Sequence, residues 1–159
     1  MEMVKHALGI DALHIPHRGC GAASADAAAG HLKIVVTNAP TALQFVREGR
    51  LRPIALLSSE RSPSLPAVPT LRESGVPELK NLSLDNYYGF MAPPGTPAPI
   101  VAKLEADIRR AAAMPDLQHR LDQAGFDMFV LSAGEMMKFI RADAEKYARA
   151  AKQAGIKLE

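Results

Sequence analysis

The stretch His14-Ile-Pro-His-Arg-Gly-Cys-Gly-Ala-Ala-Ser24 decides the fold, because a short apolar run breaks there into a glycine-bracketed turn and then a small-residue helix. Gly19 and Gly21 tolerate backbone angles that other residues avoid and let a ligand approach the main chain. The helix is expected to begin near Ala22. Its first N–H groups lack internal partners and lie at the positive end of the helix dipole, so they suit a carboxylate or a phosphate without any charged side chain. Arg18, just before the turn, is placed to add a charge-assisted fork.

Working outward, the order of elements is that of an α/β domain. Val4, Ala7 and Leu8 share one side of an N-terminal helix that Gly9 ends. Ala12 to Pro16 reads as a buried strand, the glycine turn leads to a helix closed by Gly30, and Leu32 to Val36 is the next strand. Asn38 caps a helix that carries an early Pro40, apolar Leu43 and Val46, and a terminal Gly49. Leu51 to Leu57 follows as a third strand, and this alternation predicts a parallel sheet covered on its faces.

Ser58 to Pro69 is a proline- and serine-rich surface loop. Thr70-Leu-Arg-Glu73 is a capping box for a brief helix that Gly75 closes. Asn86 to Ala92 reads as a strand, after which Thr96 caps a helix whose first residue is Pro97. Ile100, Val101, Leu104 and Ile108 give that helix a core-facing stripe. Met114-Pro115 breaks it, a second piece runs from Asp116 to Ala124 and ends at Gly125, and Phe126 to Val130 is the last strand. Ser132-Ala-Gly-Glu135 is another capping box, and it opens a long helix with Met137, Ile140, Ala144, Tyr147, Ala151 and Ala154 on one face until Gly155.

The 159 residues are enough for an ordinary core, and 48% apolar content is that of a globular protein. With 19 Lys plus Arg against 17 Asp plus Glu, the net charge of +2 provides no basic field for nucleic acid. The single Cys20 forms no internal disulfide and leaves the redox compartment open. No apolar run approaches the ~18 residues that a spanning helix needs. The N-terminus has neither a basic leader nor a long apolar stretch, so no signal peptide is expected in it, and its opening in a final helical turn suggests a missing upstream segment.

His14, His17 and His31 fail as a metal trio, because an extended run turns His14 and His17 to opposite faces and no carboxylate or cysteine pair completes a ligand set. Cys20 near His17 reads as a small space-filling residue, since no third orienting group completes a nucleophilic site. No two carboxylates, Asp26 included, are placed for acid–base work. Asn38 and Thr41 stand at a second strand-to-helix junction, the edge at which open α/β sheets bind ligands. The Gly19–Ser24 and Thr37–Thr41 junctions therefore face one crevice on this reading, with Tyr87 or Tyr88 available to line it and at least one of the two in the core.

The same residues carry a family resemblance. His14-Ile-Pro-His-Arg-Gly-Cys-Gly-Ala-Ala resembles the "hVPYKGGGPAL" segment of the tricarboxylate-transporter solute receptors, the Bug family of periplasmic binding proteins. Val36-Thr-Asn-Ala-Pro-Thr-Ala-Leu43 is similar to its "FDNLPSAL", and Gly49-Arg-Leu-Arg-Pro-Ile-Ala-Leu56 to its "GKLRALAV". Ser62 to Pro77 resembles "SPALPDVPTVAEAGVP", and Tyr88 to Pro97 resembles "fGlfAPAGTP". Within these motifs Cys20 stands for a glycine, Ala22 for the helix-opening proline, His17 for a tyrosine and Thr37 for an aspartate.

The resemblance implies the second lobe of a type II periplasmic-binding-protein fold over residues 1–85. Residues 86–159 would then be a C-terminal crossover segment completing a first lobe that is largely missing. It implies a non-enzymatic, periplasmic receptor, truncated or partial, that presents a small di- or tricarboxylate to a membrane permease without a cofactor. The ligand carboxylate would lie on the main chain around Gly19, Gly21, Ala22, Ala23 and Ser24, with Arg18 beside it and Thr37, Asn38 and Thr41 as the second binding segment. Two other outcomes stand beside this one. The first is a non-binding remnant or homo-oligomer, joined through the face left bare by the missing lobe. The second is a cysteine-dependent enzyme built on Cys20.

Overall fold

Six helices organise residues 1–153, which the computed structural model describes: α1 (Glu2–Leu8), α2 (Cys20–Ala28), α3 (Ala39–Arg47), α4 (Ala98–Ala112), α5 (Pro115–Gln123) and α6 (Ala133–Gln153). Two short 3-10 turns, Leu71–Ser74 and Pro77–Leu79, lie between α3 and α4. The chain divides into two units: Met1–Tyr87 together with Leu121–Asp127, and Tyr88–Arg120 together with the residues from Met128 onward. The sequence assigned the whole stretch after residue 85 to one segment, whereas Leu121–Asp127 returns to the first unit. Arg47, at the end of α3, donates from Nη2 to the Gln123 carbonyl at 3.1 Å and ties that return in place.

The local stop and start signals act as physical chemistry requires. Gly9 follows α1 with φ 61°, and the amides of Gly9 and Ile10 reach back to the carbonyls of His6 and Lys5. These are the two bonds of a Schellman motif. Asn38 Oδ1 accepts the Thr41 amide at 3.2 Å and caps α3. Thr70 and Glu73 form the reciprocal capping box, and Ser132 and Glu135 form another at the start of α6. The expected end of α6 at Gly155, and Ala154 on its face, lie outside the described residues.

In the first unit the buried apolar side chains are Leu43 of α3 and Val68, Leu71 and Leu79 around the 3-10 turns. α1 packs beside the Pro77–Leu79 turn, and α2 lies against α3. Gly125 is buried against α3, and a Cβ placed on it would sit 3.1 Å from Leu43 Cδ2. In the second unit Ala112 and Asp143 are buried, and an added Cβ on Gly89 would lie 3.7 Å from Met136 Cε.

The five expected strands are corrected. Ala12–Pro16, Leu32–Val36, Leu51–Leu57, Asn86–Ala92 and Phe126–Val130 run as non-helical segments without strand ladders, and the one bridge among the described residues pairs Leu56 with Thr70 in parallel. Leu51–Leu57 comes nearest to a strand, since Leu56 exchanges backbone bonds with Pro69 and Leu71, and Leu84 donates to the Leu57 carbonyl at 2.6 Å. A β-branched run reports a chain that fits a pleated, half-buried surface. A ladder also needs a neighbouring backbone ~4.8 Å away. Leu13 is 89% exposed and Phe90 85%, so these runs lack that cover.

Two helix faces also differ from expectation. Thr96 does not cap α4; its hydroxyl donates to the Pro93 carbonyl at 2.8 Å and closes the Pro93–Thr96 turn, so Pro97 becomes the cap residue. Ile100 and Leu104 on α4 are about half exposed, while Val101 and Ile108 of the same stripe are part-buried. On α6 the inward side carries Met136, Phe139, Ile140 and Asp143, while Met137, Ala144 and Tyr147 are exposed.

Candidate anion site at two helix starts

Gly19 is the hinge of the site. Its φ of 122° and ψ of 164° belong to a region that only glycine enters freely, and the turn delivers the chain directly into α2. The helix consequently starts at Cys20, two residues before the expected Ala22. The Ala23 amide already donates to the Gly19 carbonyl at 3.4 Å, so the amides ahead of the first intrahelical bond are those of Cys20, Gly21 and Ala22. This corrects the reading of Ala23 as an open donor. Gly21 has an ordinary helical φ, and its contribution is open space, since a Cβ there would meet nothing within 4 Å. Arg18, Gly19, Gly21 and Ala22 are all exposed.

α3 offers less. Asn38 takes the Thr41 amide, Ala42 donates to the Asn38 carbonyl at 3.1 Å, and Pro40 has no N–H. Of the first-turn amides only that of Ala39 precedes these bonds. Asn38 and Thr41 therefore hold the helix start in shape, while Thr37 faces the neighbouring helix. Ser24, fully buried on α2, donates from Oγ to Thr37 Oγ1 at 2.9 Å. That bond ties the second turn of α2 to the residue ahead of the α3 cap. Tyr87 closes the first unit and Tyr88 opens the second, and neither is buried, contrary to the expectation of one in the core.

A carboxylate that the sequence did not single out organises the other side of α2. Asp26 Oδ2 lies 2.8 Å from His17 Nε2, and Asp26 Oδ1 lies 3.6 Å from His31 Nδ1. The amides of Gly30 and His31 bond to the Ala27 and Asp26 carbonyls, which folds His31 back toward that side chain. His17 Nδ1 faces the Ile15 carbonyl at 3.0 Å. The Asp26 hydrogen bond, then the Ile15 carbonyl, raise the His17 pKa above its ordinary value; His17, then His31, hold Asp26 below the usual carboxylate range. The nine-residue spacing from His17 to Asp26 was the available signal, but it becomes a contact only after the glycine turn.

His14 pairs instead with Glu2, at 3.2 Å, so the three histidines are divided between two carboxylates. Among the described residues no group of three His, Cys, Asp or Glu side chains is arranged to hold a metal. Cys20 is a free thiol, part-buried at the first position of α2. Among the described residues no helix is long and apolar enough to cross a membrane.

With this geometry in view, the comparisons with known proteins are specific. Residues 1–156 match the model of the tripartite tricarboxylate transporter family receptor. The "UPF0065 protein in tcbD-tcbE intergenic region" of Pseudomonas sp. (strain P51) is 35% identical over 73% of the chain and 34% of its own length. Protein BugT of Bordetella pertussis is 31% identical over 91% of the chain and 44% of its own. Among solved structures, R. palustris Rpa4515 with adipate overlays with TM-score 0.87 at 26% identity, covering 97% of this chain and 50% of that one. The periplasmic binding protein BugD overlays at 0.84 and 28% identity, covering 99% and 52%. MatC from Rhodopseudomonas palustris with bound malate overlays at 0.74 and 29%, covering 96% and 51%. The chain thus spans between about a third and about half of the length of these relatives and follows the backbone course of about half a periplasmic binding protein.

Proposed function

The chain belongs to the tripartite tricarboxylate transporter receptor family, a family of solute receptors and not of enzymes, and from that premise we propose that it is the ligand-holding second lobe of a carboxylate receptor. One carboxylate of a small organic acid sits on the amides of Cys20, Gly21 and Ala22, with Arg18 adding a fork and Thr37 lining the crevice. Residues 1–85 with the Leu121–Asp127 return supply this lobe, and the rest of 86–159 is the crossover that completes the other lobe of an intact, periplasmic receptor serving a membrane permease. The observation that carries the reading is the 2.9 Å bond from Ser24 to Thr37, which ties α2 to the residue ahead of the α3 cap. Rpa4515 was solved with adipate and MatC with bound malate, and those acids are the first to try.

Thermal-shift titration of the chain with di- and tricarboxylates tests this. Saturation at ~100 times the dissociation constant adds about 2.7 kcal/mol and raises the melting temperature. No shift with any acid sinks carboxylate binding by this chain.

A second reading, a homo-oligomer or non-binding remnant, draws on the bare apolar side chains within each unit, Leu13 and Ile54 in one and Phe90 and Met91 in the other. Contiguous apolar surface is uncommon on monomers. Light scattering that gives a monomer at high concentration removes the oligomer.

A further inference from the structure

We propose that His17 is the positioning residue of the α2 cradle, pinning the 15–19 turn to α2 as a doubly protonated imidazolium held between the Ile15 carbonyl and the Asp26 carboxylate. The inference rests on the carboxylate-receptor reading for its purpose, but its geometry stands apart from any ligand. Both ring nitrogens face acceptors, Ile15 O at 3.0 Å and Asp26 Oδ2 at 2.8 Å. A neutral imidazole has one N–H and one bare lone pair, so it satisfies only one of these contacts and turns a lone pair toward the other oxygen. The imidazolium donates to both. The His17 side chain is 15% exposed and that of Asp26 47%.

The charged groups around it are few. Asp26 of α2 faces His17 directly, and His31 approaches the same carboxylate from its other oxygen at 3.6 Å. Arg18 and Cys20 follow along its own segment. Of the two contacts only the Asp26 bond joins the segment before Gly19 to α2, the Ile15 bond being internal to that segment, and when His17 loses its proton one of the two fails. With the remaining N–H on Nδ1 the Asp26 charge is left with His31, on the helix whose first turn must attract an anion; with it on Nε2 the 15–17 turn loses its internal bond. Either loss loosens the turn. The sign follows from the raised value of His17. The two-sided hold is complete below the ordinary histidine range and falls to one contact as the pH rises through the folded-state value. Cradle order and carboxylate affinity both fall in that window.

The test is long-range 1H–15N NMR of the histidine rings and backbone amides in the full chain, titrated from about pH 5 to about pH 9, for the wild type, Asp26→Asn and His17→Gln. In the wild type, His17 keeps both ring protons to a pH above the ~6.5 of a model histidine. The amides of Gly19 to Ala22 shift along the same curve. Asp26→Asn lowers the His17 midpoint, and His17→Gln abolishes the amide titration. A His17 midpoint at or below the model value overturns the proposal, as does one that Asp26→Asn leaves unmoved. So does amide titration that persists in His17→Gln, and should that variant not fold, the wild type and Asp26→Asn decide alone. Malate titrated in the same samples separates the two ideas. Absence of malate binding at every pH removes the receptor reading without altering the His17 curve, whereas equal affinity at both ends of the range removes the positioning role.

Discussion

Ser24 of α2 donates its hydroxyl to Thr37 Oγ1 at 2.9 Å, and this single bond links the helix that follows the glycine turn to the residue just ahead of the α3 cap. Ser24 is fully buried, so its hydroxyl depends on that partner. A neutral hydrogen bond of this kind contributes about 1 kcal/mol, and the penalty grows when one partner is left behind without the other. Ser24→Ala and Thr37→Val are each expected to destabilise the chain by about 1 kcal/mol in urea unfolding, with the double variant well short of their sum. Additive losses contradict the link.

Gly125 packs against the start of α3 with φ 83°, and an added methyl group would meet Leu43 Cδ2 at 3.1 Å and Pro40 Cα at 3.4 Å. Gly49 has a similar φ, 70°, but open space around it. Backbone strain alone costs roughly 1–2 kcal/mol. Gly49→Ala is expected to cost about that much in urea unfolding, and Gly125→Ala measurably more, because overpacking adds to strain. Equal costs would show that the Leu121–Asp127 return is not seated on α3.

Glu73 is held by Arg61, whose Nε lies 3.0 Å from both carboxylate oxygens, and by the Thr70 amide at 2.8 Å. The Arg61 bond, followed by the Thr70 amide, lowers its pKa to about 2. A depressed carboxylate stabilises the fold above its unfolded value and loses that contribution as the pH falls through the folded one. The stability difference between wild type and Glu73→Gln should therefore be full near neutrality and shrink between about pH 5 and pH 2, in denaturant titrations at each pH. A difference that holds constant across that range rules out the carboxylate as its source.

Much of the fold was legible because caps and stops are local. Gly9, Asn38, the Thr70–Glu73 and Ser132–Glu135 boxes and the Gly125 stop each depend on residues within one turn. The expected strands failed for the opposite reason: Leu32–Val36 and Asn86–Ala92 have the composition of strands, but a ladder depends on neighbours distant in sequence. The α6 face was misplaced by one residue: Met136, not Met137, packs over Gly89. Around the proposed site, the glycine turn at Gly19 and the Asn38 cap were legible. The early start of α2 was not, since it follows from the Gly19 angle, nor was the contact of Asp26 with His17 and His31, which forms only after two glycine turns.

Asn38 supplies a further check of the second helix start. Its Oδ1 accepts the Thr41 amide, and loss of such a cap costs about 1 kcal/mol. Asn38→Ala should lower stability by about that amount, and Asn38→Asp should retain most of it. If Asn38→Ala leaves stability unchanged by urea unfolding, the cap contributes nothing.

The central claim is that the first-turn amides of α2 hold a carboxylate. Ala22 is exposed in that turn, and an acid there complements the helix dipole by roughly 0.3–1 kcal/mol, so Ala22→Asp should fold while filling the cradle with its own negative charge. Isothermal titration calorimetry of malate and adipate into the wild type and Ala22→Asp measures the claim directly. Saturable binding by the wild type that falls at least about tenfold in the variant, a loss of ~1.4 kcal/mol, is the expected result. No binding by the wild type, or equal affinity in both proteins, contradicts it.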